Sequence, residues 1–175
     1  MKNATWADCA AFHGHECGGL TIGYKAALYA IELLDLKFSG DEEVCCICEN
    51  DACGVDAIQV MLGCSAGKGN LMFHLTGKQA FSFYERASGR SVRLVLRPRP
   101  EGMSRAESFA YYQGREPREL FDVKPVQMPL PEGARLFGNC VCSVCGEEFA
   151  EPYAHLVNNN TVCRDCYKGY TRYDV

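Results

Sequence analysis

The amino-acid sequence predicts an α+β protein: a mixed helix and sheet core over residues 1–135, followed by a small treble-clef or ribbon-like finger over residues 136–175. Three features carry that expectation. Small and aliphatic residues recur at helical spacing from Gly19 onward, and apolar or alternating runs between residues 44 and 96 have strand length. Two Cys-x-x-Cys pairs occupy the last forty residues.

Gly23, Ala26, Ala27, Ala30, Leu33 and Leu34 fall on one helical face, small enough in its first turns to approach another backbone closely. Phe38-Ser39-Gly40-Asp41 ends that helix. Val44-Cys45-Cys46-Ile47-Cys48 is an apolar run fit for a buried strand. Val55, Ile58, Gln59 and Leu62 mark a second, short helix, and Gly63, Gly67 and Gly69 a loop. Leu71-Met72-Phe73 begins another strand. Phe81 and Phe83, then Val92, Leu94 and Leu96, alternate on the two arms of a hairpin turning at Ser88-Gly89-Arg90. Ser104 and Glu107 form a capping box ahead of a third helix with Phe109, Tyr111 and Tyr112. Beyond Gly114 the chain reads as extended, because Pro117, Pro125, Pro129 and Pro131 block helices.

With 175 residues, the chain has room for one ordinary domain and a small appendage. A net charge of −4 gives no electrostatic reason to expect nucleic-acid or anionic-membrane binding. Nowhere does an apolar run reach membrane-spanning length, and the first residues lack the hydrophobic core of a signal peptide, so a cytoplasmic protein is expected. The twelve cysteines then read as metal ligands or reactive thiols instead of disulfides. Seven precede residue 65 and five follow residue 139, which suggests two separate sites.

Cys142-Ser143-Val144-Cys145-Gly146 has the spacing of a zinc knuckle, and Cys163-Arg164-Asp165-Cys166 repeats it. Four thiolates so placed suit tetrahedral zinc, a structural staple for a segment too short to bury a sufficient core. Cys140 is expected to be a bystander and His155 a surface or packing residue. Leu136 to Val175 holds three basic and five acidic residues, so protein contact or structural support is expected of the finger, and RNA is not.

The second constellation is His13-Gly14-His15-Glu16-Cys17-Gly18-Gly19, three metal-ligand types in a glycine-rich loop, with Cys17 at a helix N-terminus that favours the thiolate. Downstream lie Asn50-Asp51-Ala52-Cys53-Gly54-Val55-Asp56 and Gly63-Cys64-Ser65-Ala66-Gly67-Lys68-Gly69-Asn70. The latter fails as a phosphate loop: its spacer is one residue short and Gly69 stands where Ser or Thr is required. Cys45, Cys46 and Cys48 read as buried strand residues acting as small hydrophobes.

Phe12-His13-Gly14-His15-Glu16-Cys17-Gly18-Gly19-Leu20 with Gly23-Tyr24-Lys25, the stretch from Glu49 to Gln59, Gly67-Lys68-Gly69-Asn70-Leu71 and Gly77-Lys78-Gln79-Ala80-Phe81 together resemble the FmdE family of formylmethanofuran dehydrogenase proteins. The family usually has Cys-Pro-Gly-Leu where this chain has Cys17-Gly18-Gly19-Leu20, and the thiols at 45, 46 and 48 are unusual for it. The resemblance implies an α+β core arranged as an intertwined homodimer, with an optional zinc finger. It also implies association with the molybdenum- or tungsten-dependent dehydrogenase of C1 metabolism, and so oxidoreductase partner proteins. The family's polar positions fall here on His15, Cys17, Asn50, Asp51, Cys53, Asp56, Cys64 and Lys68.

The leading expectation is therefore a metal-binding protein with structural zinc on Cys142, Cys145, Cys163 and Cys166, and a second transition metal or thiolate centre in the core on His15, Cys17 and Cys64. Cys17, Asp51, Asp56 and Lys68 are the catalytic candidates, with the acids orienting a ligand or moving a proton and Lys68 holding an anion. An alternative makes the chain an interaction or regulatory module, the finger docking a protein or sensing a metal and the core dimerising. A third reading is a redox protein working through Cys53 and Cys64.

Overall fold

The computed structural model describes residues 4–170 and 172 and divides into two compact units, Met1–Ala134 and Arg135–Val175. It is a mixed helix and sheet protein with a C-terminal four-cysteine cluster compatible with a small zinc finger. Among the described residues, no helix is long and apolar enough to cross a membrane.

The first unit opens with α1 (Trp6–His13), capped by a reciprocal pair in which Thr5 and Asp8 each accept from the other's backbone N–H. Gly14 in the left-handed conformation stops it, and three residues later the chain re-enters a helix, α2 (Gly18–Leu34), with Cys17 as N-cap. The small face expected of α2 is its buried face: Gly23, Ala26, Ala27 and Ala30 are all shielded from water. Against it runs α3 (Gly54–Leu62). A Cβ atom on Gly23 would come within 1.9 Å of the Gly54 carbonyl oxygen, and one on Gly54 within 3.0 Å of the Gly19 carbonyl oxygen. Main chain thus meets main chain at this crossing, which only glycine on both helices allows.

Five strands form one sheet: β1 (Val44–Cys48), β2 (Leu71–Phe73), β3 (Ala80–Glu85), β4 (Ser91–Leu96) and β5 (Phe121–Lys124), in the order β2-β1-β3-β4-β5. β1 and β2 are parallel with α3 as their crossover, and the other neighbours are antiparallel. The period-two rule sorts the strand cysteines. Cys46 and Cys48 join Phe81, Phe83 and Leu94 under the helices, while Cys45 and Ile47 lie with Tyr84 on the other face.

That second face is crossed by the proline-bearing stretch, which the Tyr84 hydroxyl holds by donating to the Met128 carbonyl at 2.9 Å. Arg86 reaches the Pro131 carbonyl at 2.7 Å. Farther along, Arg93 and Glu49 form a two-pronged ion pair at 2.6 and 2.9 Å with both side chains almost wholly buried. α4 (Arg105–Gln113) begins with the expected capping box. Pro117 starts a helical turn, α5 (Pro117–Leu120), instead of blocking one, because the first helical position needs no N–H.

In the second unit, β6 (Asn139–Val141) and β7 (Glu148–Ala150) form one hairpin, and β8 (His155–Val157) and β9 (Asn160–Val162) another. The second turns on Asn158 and Asn159, both at positive φ, the backbone that matches the twist of a two-residue hairpin. Residues 171 and 173–175 of the expected finger lie outside the described residues.

Candidate metal centres

The glycine crossing sets the geometry of the first centre. Because α2 and α3 touch near their starts, their N-cap residues, Cys17 and Cys53, are brought side by side. Cys17 Sγ accepts from the Leu20 N–H at 3.3 Å, as a capping oxygen would. Cys53 makes no capping bond, which leaves its sulfur free to face that of Cys17. Burial and the neighbouring Cys17 thiol both push the Cys53 thiol above its ordinary pKa. A second thiolate beside a first is disfavoured unless a cation shares them.

His13, the last residue of α1, completes the group. Its Nδ1 lies 2.7 Å from Asp56 Oδ2, and the other oxygen of Asp56 accepts from Gln59 Nε2 at 3.1 Å. A carboxylate only accepts, so Nδ1 donates, and in the neutral imidazole Nε2 then presents its lone pair. That Nε2 is 3.8 Å from Cys17 Sγ, and the ligand atoms of His13, Cys17 and Cys53 all lie within 4.8 Å of one another. Two sulfurs and an imidazole backed by a carboxylate are the donor set of a zinc-type ion with an open position.

The grouping differs from the expected core set of His15, Cys17 and Cys64. Only Cys17 remains. His15 follows the left-handed Gly14 and packs at a tilt of 38° against His13, ring centroids 4.4 Å apart, without joining the three. Cys64 follows α3, whereas Cys53 precedes it; nine helical residues and their flanks separate the two by about 15 Å. A disulfide between them is therefore out of reach. Cys64 is wholly buried, donates to the Val44 carbonyl at 3.5 Å, and is pushed up by that burial to a pKa of about 12.

Lys68 spends its ammonium on the carbonyls of Ser39 and Gly40, at 2.9 and 3.4 Å, and anchors a loop. Asp51 and Asp56 line a cavity of about 460 Å³ together with His13 and Cys53. A second cavity, of about 500 Å³, shares Cys53 with the first, reaches Cys17 and is bordered by Arg99, Arg105 and Tyr112. The expected site residues include neither arginine, since the loop after β4 has no periodic pattern. No local pattern singles out His13 over His15, because its carboxylate partner, Asp56, lies 43 residues away and is brought to it by the fold.

The second centre has the four expected cysteines together, their sulfurs within 4.8 Å of one another. Gly146, at φ 77°, allows the tight turn after Cys145. Backbone N–H groups of Val144 and Cys163, each 3.4 Å away, point at Cys142 Sγ. Backbone N–H groups of Cys163 and Cys145 lower the Cys142 thiol to a pKa of about 6. The Cys163 thiol, followed by burial, raises Cys166 to about 12. One thiolate forms readily here and the fourth does not, as expected of a site whose charge a cation must balance. His155 packs flat on Tyr167, ring centroids 4.1 Å apart, outside the cluster. Cys140 also lies outside it.

Residues 12–122 match the family model described as FmdE, molybdenum formylmethanofuran dehydrogenase operon. A probable S-adenosyl-L-methionine-binding protein of Archaeoglobus fulgidus is 30% identical over 115 residues, 63% of this chain. The match spans only 29% of that relative's length. Among solved structures, a tungsten formylmethanofuran dehydrogenase FmdE-like protein from Syntrophus aciditrophicus superposes with a TM-score of 0.68 over 90% of this chain and 86% of its own. Sequence identity there is 23%, so this likeness is one of fold.

Proposed function

The chain belongs to the FmdE family, and from that premise we propose that its core is a metal-dependent site in which His13, Cys17 and Cys53 hold a transition metal, with Cys142, Cys145, Cys163 and Cys166 holding a structural zinc. The observation that carries the core reading is the Asp56–His13 contact, which turns an imidazole lone pair towards two sulfurs. When bound, such an ion supplies Lewis acidity and acidifies a coordinated water. Asp56 fixes the His13 tautomer, and Asp51 beside it is placed to hold or move a proton in the shared cavity. Lys68 serves by pinning the loop at Ser39 and Gly40.

The family supports a role beside a molybdenum- or tungsten-dependent formylmethanofuran dehydrogenase, as a cytoplasmic, oxidoreductase-associated protein of C1 metabolism. It supports an intertwined homodimer too, for which Phe12, Phe38, Phe73 and Leu75 are exposed apolar side chains of the core. S-adenosyl-L-methionine enters through the relative's name alone, as a compound to try by equilibrium dialysis.

Metal analysis of anaerobically purified protein tests the core reading. Two ions per chain are expected, falling to one in Cys17→Ser and, independently, to one in Cys163→Ser. A single ion per chain that Cys17→Ser leaves in place removes the core centre. A second reading, an interaction module, draws on the exposed Val144, Leu156 and Tyr170 of the finger. It requires that substituting these three abolish partner capture while core metal content stays unchanged.

A further inference from the structure

The cavity of about 500 Å³ between the start of α2 and residues 99–108 has a chemistry of its own. Its floor is Cys17 and Cys53, Tyr112 and Ser108 form part of the wall, and Arg99 and Arg105 stand at the rim. Elsewhere in the core five arginines answer to carboxylates, Arg86 to Glu42, Arg93 to Glu49, Arg97 to Asp122, Arg115 to Glu119 and Arg118 to Glu32, and Arg90 donates to the Ser88 hydroxyl and the Leu34 carbonyl. Among the described residues, neither Arg99 nor Arg105 has an ion pair with a carboxylate. Arg99 makes only a long contact, 3.5 Å, to the Met103 carbonyl. Its charge is felt at Tyr112, where it opposes the rise that burial imposes on the phenol.

Two acids stand close to these arginines in sequence, Glu101 and Glu107; among the described residues no ion pair joins Glu101 to either arginine, and Glu107 does not neutralise the rim. Its carboxylate is turned onto the Ser104 N–H at 2.8 Å and closes the helix cap. Two guanidinium groups thus border a concavity of small-molecule size whose opposite end is a pair of thiols. Guanidinium presents a planar fork of donors that matches carboxylate and phosphate oxygens. The other cavity carries Asp51 and Asp56, so the two approaches to Cys53 have opposite charge.

We infer that the cavity bordered by Arg99 and Arg105 is the substrate entrance of the core centre and takes a small organic anion, a carboxylate or a phosphate ester, held by the two arginines with its remaining atoms towards Cys17 and Cys53. The acidic cavity repels such an anion and is the route for a proton. This inference rests on the metal reading above for its chemistry, and on Arg99 and Arg105 alone for binding.

Arginine side-chain NMR of the full-length, metal-analysed protein tests it, with acetate and inorganic phosphate as probes. The Nε–H signals of Arg99 and Arg105 are expected to move saturably with at least one probe, and whichever binds tighter identifies the class. In Arg99→Gln/Arg105→Gln, followed through the backbone amides of Gly18 and Gly19, binding should weaken about ten- to a hundredfold. Core metal content should not change. Movement that does not saturate, or affinity unchanged in the double variant, overturns the anion site even where the core holds its ion. Saturable movement in a core without metal retains the anion site and overturns the metal reading.

Discussion

Leu20, Ile58, Phe81 and Phe83 of the first unit are wholly shielded from water, and helices and strands interlock around them. In the described part of the second unit only Cys142 and Val162 are buried, and one of those two is itself a candidate ligand. Apolar area removed from water stabilises the first unit; the second has little such area and two short hairpins. Metal therefore means different things in the two places. In the finger a bound metal would replace a core, whereas in the first unit it would sit on a scaffold already made.

The sharpest way to break this contrast is chelation. A structural zinc contributes about 10–16 kcal/mol of apparent binding energy to such a finger. Stripping metal should therefore erase the amide dispersion of residues 139–166 while leaving that of α2 and β3 intact, as two-dimensional NMR would register. Collapse of both regions together would refute the contrast. Next in size is Glu49→Gln, which leaves the Arg93 guanidinium buried without its counter-charge. A loss of about 3–5 kcal/mol in chemical denaturation is expected.

Gly23→Ala should cost about 1–3 kcal/mol or more, because the added methyl meets the Gly54 carbonyl and not a yielding side chain. It should also lower core metal occupancy, whereas Gly67→Ala, whose Cβ meets nothing within 4 Å, should do neither. A smaller effect is expected of Asp56→Asn, which keeps the shape but weakens the acceptor behind His13. Core metal affinity should fall about 10–100-fold, read by competition with a chromophoric chelator, with thermal stability nearly unchanged.

Acid separates the units in a further way. Glu49 is held below its ordinary pKa, chiefly by the Arg93 side chain. A lowered carboxyl pKa contributes stability fully above the unfolded value of about 4.3, and that stability is lost as pH falls through the folded value. Thiols ordinarily titrate near 8.5, far above carboxyls, and must be deprotonated to bind metal. On acidification the finger should therefore release its ion before the core unfolds, with metal release and tryptophan fluorescence followed in one titration.

Much of this is legible in the sequence where the signal is local. The small face of α2, strand β1, the β3–β4 hairpin and the α4 capping box each follow from periodicity or from a two-residue pattern, and so do the four finger cysteines. Helix α1 is not expected from the pattern of the chain although Thr5-x-x-Asp8 announces its start, since it has only eight residues and no clear apolar stripe. The core centre is legible in kind but not in membership. Spacing along the chain does not say whether His13 or His15 points inward, which depends on Gly14 ending a helix between them. Cys64 draws attention as a thiol in a glycine loop, but the length of α3 carries it to the far end of that helix.

The contact of Gly23 with Gly54 would also govern which ion the proposed core centre accepts. A seam made of peptide groups has no rotamers to readjust, so the separation of the Cys17 and Cys53 backbones is inherited from the main chain like the jaw of a fixed calliper, and each sulfur has only its own χ1 to adjust. Larger and smaller ions cannot each be fitted by a shift in side-chain packing. At the proposed core centre, discrimination by ionic radius would then rest on two residues that have no side chain at all.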